Sequence, residues 1–190
     1  MEYQQPTFYH FSDDSIWLVE KTIEQISNIN REISVLDLGA GCGIVGIELA
    51  LKYTKNIRLS FLEKQSEFQP FLEENINNFI SKVETKTYIK DIKDFDSKYK
   101  YDVIISNPPY FESGKGRPSP SLNRNTCRTF QGIGLIQWFE LASRFINKGG
   151  RFIFLVHKSN QEHLELLEKE NIQILDQRDD RLILEALYKE

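Results

Sequence analysis

Ile33-Ser34-Val35-Leu36-Asp37-Leu38 is a short apolar run that breaks directly into Gly39-Ala40-Gly41-Cys42-Gly43 and then into a helical stretch, Ile44 to Tyr53. A strand that ends on a glycine turn and opens a helix is the first half of a crossover unit, the connection that parallel strands require. The alternation continues with predicted strands at Ile57 to Leu62, Val83 to Ile89, Tyr101 to Ser106 and Arg151 to Val156. Helices are predicted at Glu67 to Ile80, beginning late because Pro70 fits only a first turn, and around Leu135 to Phe145, ended by Lys148-Gly149-Gly150. Ahead of the first strand, Ile16, Val19, Ile23 and Ile26 recur at helical spacing, with Ser12 or Asp13 as N-cap. A polar helix is expected at Asn160 to Lys169. Strands Ile172 to Leu175 and Leu182 to Tyr188 lie too close for a crossover, so they must form an antiparallel hairpin around Gln177-Arg178-Asp179-Asp180. The expectation is one α/β domain over residues 1–190: a doubly wound sheet of seven strands, mostly parallel, with a C-terminal antiparallel hairpin. Residues 1–30 form its N-terminal helical segment, and 107–134, without periodicity, is too long for a plain connection and is read as a substrate loop.

Other classes are set aside by composition. No apolar run approaches the roughly 20 residues that span a bilayer, and the N-terminus lacks the order of a signal peptide, so a cytoplasmic protein with no membrane partner is expected. Cys42 and Cys127, with His10, His157 and His163, fit no ligand spacing, so no metal and no disulfide are expected, and the histidines are given no role. A net charge of -4 disfavours a protein that grips nucleic acid through a generally basic surface, leaving room for a local basic site.

The glycine turn contains G-x-G-x-x-G from Gly41 to Gly46, which alone is a weak sign of a dinucleotide site. Three carboxylates redirect the reading. Asp37 just before the turn opposes a phosphate and suits a cationic group; Glu63, after the second strand, suits the paired hydroxyls of a ribose; Asp91, after the third, suits an adenine amino group. An ammonium, a ribose and an adenine without phosphate describe S-adenosylmethionine.

With these residues the chain resembles the class I S-adenosylmethionine-dependent methyltransferases, from about Phe11 to the terminal hairpin, and the resemblance implies a Rossmann-like fold. It further implies that Asp37, Gly39 and Gly41 hold the methionine part, Glu63 the ribose, and Asp91 with the Ile92 amide the adenine. Ala40, Lys64 and Asn107 complete the candidate cofactor-binding set.

Asn107-Pro108-Pro109-Tyr110 leaves the fourth strand and resembles the signature of amino methyltransferases acting on adenine N6, cytosine N4 or glutamine amide nitrogen. An exocyclic amine is a poor nucleophile because its lone pair is delocalised. Acceptors aimed at its hydrogens favour a pyramidal nitrogen and stabilise its developing positive charge. The Asn107 side-chain oxygen and the Pro108 carbonyl are the candidate acceptors, held stiffly by two prolines. Tyr110 or Phe111 offers a face for a flipped base, worth about 1 to 3 kcal/mol. The catalytic candidates are thus Asn107, Pro108 and Tyr110.

Between Glu112 and Glu140 the charged residues are Lys115, Arg117, Arg124 and Arg128, a basic interval beside the transfer site where a phosphate backbone could lie. With Pro109, Tyr110 and Phe111 they make up the candidate substrate-binding residues. Phe8 to Leu18, with Asp14 before a helix, and the proline motif followed by this loop look like bacterial adenine N6-methyltransferases acting at position 37 of valine tRNA. The expected partner is therefore RNA, in particular tRNA. A glutamine amide methyltransferase of the release-factor type, and other base amino methyltransferases, share the motif and stay open at this point. A dinucleotide oxidoreductase explains only the glycine turn.

Overall fold

The computed structural model describes residues 2–109, 129, 132–160 and 172–188. Helix α1 (Asp13–Ile26) precedes strand β1 (Ile33–Leu38), and α2 (Ile44–Lys52), β2 (Ile57–Glu63), α3 (Gln69–Ile80) and β3 (Glu84–Ile89) follow. Then come β4 (Tyr101–Ser106), α4 (Leu135–Ser143), β5 (Ile146–His157), β6 (Ile172–Arg178) and β7 (Arg181–Leu187). The seven strands form one sheet in the order β3-β2-β1-β4-β5-β7-β6. Pairings from β3 through β5 are parallel; β7 runs antiparallel to both β5 and β6. The order reverses between β1 and β4, and open sheets of this kind bind ligands at that point, beyond the carboxyl ends of the strands.

The central strands are continuously apolar because both faces are covered. Val35, Val103, Ile105, Ile153 and Leu155 face a core shared with α1, α2 and α3. Leu36, Ile104, Phe152, Phe154 and Val156 face a second core with Trp138 and Phe139 of α4. No helix among the described residues is long and apolar enough to cross a membrane.

Several predicted boundaries move. Helix α1 begins at Asp13 as expected, but the Ser12 hydroxyl donates to Asp14 Oδ2 at 3.0 Å and makes no side-chain cap to the helix backbone. Pro70 lies in the first turn of α3, which follows a short 3₁₀ turn at Ser66–Phe68. Lys148-Gly149-Gly150 does not end α4; it lies within β5. Between the pairs Tyr101–Ile146 and Val103–Arg151, β5 advances further than β4, so Asn147 to Gly150 bulge out, with Gly149 at φ +73°. That bulge is pinned from the chain's end by Tyr188, whose N–H donates to the Gly150 carbonyl at 3.0 Å. The hairpin is longer than expected, with Asp179-Asp180 as its turn, because the edge strand β6 keeps Asp176, Gln177 and Arg178 in the ladder, where Asp176 and Arg178 meet Trp17 of α1. The polar helix expected at Asn160 to Lys169 lies outside the described residues except for Asn160, which ends a 3₁₀ turn.

Candidate functional site

The carboxyl ends of β1, β2 and β4 surround a cleft of about 860 Å³, open mouth included, walled by Gly39, Gly41, Glu63, Lys64, Asp91, Ile92, Asn107 and Pro109 together with Tyr9, Phe68, Thr129 and Trp138. Parallel pairing brings these sequence-distant residues to one edge: Asp37 pairs with Phe61 and Ile105, and Glu63 with Ile89.

The glycine turn is built from backbone hydrogen bonds. Gly39 and Ala40 N–H both donate to Leu62 O, at 2.8 and 3.1 Å, which ties the turn to β2. Gly39, Gly41 and Gly43 all have positive φ. At Gly43 a side chain would also run into Leu72 Cδ1. Gly43→Ala is therefore expected to destabilise the fold by about 2 to 4 kcal/mol, combining left-handed strain with overpacking. Urea denaturation measures it, and a loss below about 1 kcal/mol would show slack in the turn.

Glu63 is buried and anchors the turn: Oε2 accepts from Gly41 N–H and Oε1 from Gln65 N–H, each at 2.8 Å. Burial raises its pKa against the pull of these donors. Asp91 caps the 3₁₀ turn Ile92–Asp94 by accepting from Lys93 N–H at 3.0 Å, and Lys64 Nζ lies 2.8 Å from its Oδ2. Burial works against its charge, but Lys64 and the Lys93 amide outweigh it and hold the pKa below the usual range. Lys64, a candidate cofactor-binding residue, thus serves as a counterion to Asp91 on the cleft wall.

Asp37 is not on the cleft wall. It lies beneath the turn, 1% exposed, with Oδ2 accepting from Gly46 N–H at 2.8 Å and Oδ1 without a hydrogen-bond partner among the described residues. Burial, opposed by that one N–H and reinforced by the charge of Glu63, pushes its pKa up to about 7. A buried carboxylate oxygen without a donor suits a cationic group above it. Ala40 likewise lies behind the wall, and Pro108 is buried.

Asn107 sits half-buried at the end of β4, its Nδ2 3.5 Å from Ser15 Oγ. The preceding Ser106 hydroxyl donates to Leu38 O, locking the end of β4 to the start of the glycine turn. Tyr110, Phe111, Lys115, Arg117, Arg124, Arg128 and Cys127 lie outside the described residues. Cys42 is buried in the turn, and no group of His, Cys, Asp and Glu among the described residues could hold a metal ion.

Sequence reading missed the aromatic wall. Tyr9 packs edge-on against Phe68 with ring centroids 5.3 Å apart, and Phe8 does the same at 5.5 Å. The N-terminal strap that carries them is fastened by the fully buried Asn75 of α3. Its Oδ1 accepts from Gln4 N–H at 2.9 Å, while its Nδ2 donates to Gln4 O and to Cys42 O of the glycine turn, both at 3.0 Å. A polar residue on an apolar helix face was the available signal.

This sheet order, with acidic residues at the ends of β1 and β2 and after β3, around a cleft at the switch point, defines a Rossmann-like methyltransferase domain. The chain belongs to the methyltransferase small domain family, whose model matches residues 21–180. It is 31% identical over 131 residues to a tRNA1(Val) (adenine(37)-N6)-methyltransferase of Actinobacillus pleuropneumoniae serotype 7, covering 69% of this chain and 54% of that one. A protein of the same name from Tolumonas auensis is 29% identical over 133 residues, 70% of this chain and 55% of that one. The chain spans about half the length of the curated relatives it matches. Among solved structures, a Thermus thermophilus 16S rRNA N2 G1207 methyltransferase superposes with a TM-score of 0.69 at 18% identity, over 95% of this chain and 44% of that one. A ribosomal protein L11 methylase from Lactobacillus delbrueckii gives 0.67 at 17%, over 100% and 92%. At these identities the structures speak for the fold.

Proposed function

We propose that this protein is a cytoplasmic S-adenosylmethionine-dependent methyltransferase that acts on the exocyclic N6 amine of adenine in RNA, with tRNA as the substrate class. The observation that carries this reading is Asn107-Pro108-Pro109 at the end of β4, with Asn107 and Pro109 on the same cleft wall as Glu63 and Asp91. The names of the curated relatives favour adenine in tRNA among the amines the motif accepts.

The residues present fit the cofactor. Glu63 and Asp91 face the cleft as acceptors for a ribose and an adenine, and under the turn Asp37 holds a carboxylate oxygen without a partner among the described residues. When bound, S-adenosylmethionine supplies a methyl group on a sulfonium that leaves as a neutral thioether. The Asn107 side-chain oxygen and the Pro108 carbonyl accept the amino hydrogens, so the nitrogen pyramidalises and its positive charge is met by fixed dipoles. No strong base is needed, because the nitrogen becomes acidic only as it gains the methyl group, and the proton it then sheds passes to solvent. Pro108 and Pro109 limit backbone reorganisation. In this reading Tyr110, Phe111, Lys115, Arg117, Arg124 and Arg128 receive the base and its phosphates.

The test is incubation with unmodified bacterial tRNA and methyl-labelled S-adenosylmethionine, followed by mass spectrometry of the nucleosides. Labelled N6-methyladenosine is expected. Label found only in protein, as methylated glutamine amide, overturns the RNA reading.

A further inference from the structure

A side-chain amide has an oxygen end and an NH2 end, and only the oxygen end of Asn107 accepts from an amine. We propose that Ser15 of α1 is a positioning residue: its hydroxyl oxygen holds the Asn107 NH2, so that Oδ1 is the end presented to the cleft. This rests on the amine-methylation reading above.

Four observations converge. Ser15 is 2% exposed, and its hydroxyl oxygen meets Asn107 through Nδ2, the donor end of the amide. The 3.5 Å separation is long for a hydrogen bond, as catalytic contacts often are before substrate tightens them. The backbone leading to Asn107 is already fixed, by β4 pairing with β5 and by Ser106 bonded to Leu38 O. What remains undetermined is the amide's orientation, and Ser15 is the group placed to set it.

Ser15 itself is held from the far end of the chain. Its N–H donates to Ser12 O at 3.1 Å, and the Ser12 hydroxyl donates to Asp14, whose two carboxylate oxygens each lie 2.7 Å from Arg181 Nη1 at the start of β7. One turn on, Trp17 Nε1 donates to Asp176 Oδ2 at 3.0 Å, with Arg178 4.7 Å over its ring. The terminal hairpin thereby sets the start of α1, and α1 sets the amide.

The experiment compares Ser15→Thr with Ser15→Val, an isosteric pair with equal packing burden that differs in the oxygen. Steady-state methylation of tRNA should show kcat for the Val variant about 3- to 10-fold below the Thr variant, the range of a single hydrogen bond, with S-adenosylmethionine affinity equal in both. Equal kcat in the two overturns the proposal. A second readout needs no substrate. In ¹⁵N spectra, the side-chain NH2 resonances of Asn107, assigned by their loss in Asn107→Asp, should move between Ser15→Thr and Ser15→Val. If they do not, Ser15 does not hold the amide. If they do move while wild-type protein leaves tRNA unmethylated, the contact stands and the RNA reading falls.

Discussion

Asn107→Ala is expected to lower kcat on the order of 100-fold or more while leaving S-adenosylmethionine affinity within a few-fold, because the lost interaction strengthens only as charge develops on the amine. Asn107 sits on the cleft wall, yet the groups proposed to carry cofactor recognition, Glu63, Asp91 and Asp37, belong to other strand ends. The fold should tolerate the change. Asn107 is half-buried, follows a strand closed by the Ser106 bond to Leu38, and makes one long side-chain hydrogen bond among the described residues. Single-turnover kinetics at saturating cofactor would isolate the transfer step. Wild-type turnover in this variant would remove Asn107 from the chemistry, and a loss confined to cofactor affinity would recast it as a binding residue.

Most of the architecture was legible because each buried strand carries its own punctuation. Asp37-Leu38-Gly39 and Ser106-Asn107-Pro108 mark strand ends with a glycine or a proline that disfavours further strand pairing, and the apolar runs before them show both faces covered. The misreading at Lys148-Gly149-Gly150 has the same origin. Two glycines stop a helix or shape a strand bulge equally well, and the choice was made by Tyr188 bonding to Gly150 from the far end of the chain. The partners of long-range polar anchors were likewise invisible. Asn75 lies in a helix whose pattern says only that one face is buried, while its partners, Gln4 and Cys42, are chosen by where the strap docks. Ser15 is spoken for by Asn107 in the same way. Carboxylates at strand ends were readable as a set because parallel pairing aligns them whatever their separation in sequence. The aromatic wall of Tyr9, Phe68 and Trp138 was not, since no local period distinguishes a ring in the core from one at the edge of a cleft.

Asp37 links stability and ligand affinity with opposite signs. Its folded pKa of about 7 lies above the ordinary aspartate value of 3.8, so between those values the folded protein holds a proton that the unfolded chain has lost. Stability therefore declines as pH rises through that window and levels off above about 7. Affinity for a cationic group runs the other way, because only the ionised carboxylate attracts an ammonium. S-adenosylmethionine should bind about 100-fold more weakly at pH 5 than at pH 8, with the change levelling off near neutrality. Glu63, also pushed up by burial, titrates at the same edge of the sheet, so the two must be separated. Asp37→Asn keeps the oxygen that accepts from Gly46 N–H but cannot ionise. It is expected to flatten Asp37's share of both profiles, leaving a protein that is more stable than wild type at pH 8 and binds the cofactor there at least tenfold more weakly. Calorimetric titrations across this range, paired with urea denaturation at each pH, measure both arms. A wild-type affinity independent of pH, or an Asp37→Asn variant that binds as tightly as wild type at pH 8, would show that Asp37 holds the turn through Gly46 and takes no part in recognising charge.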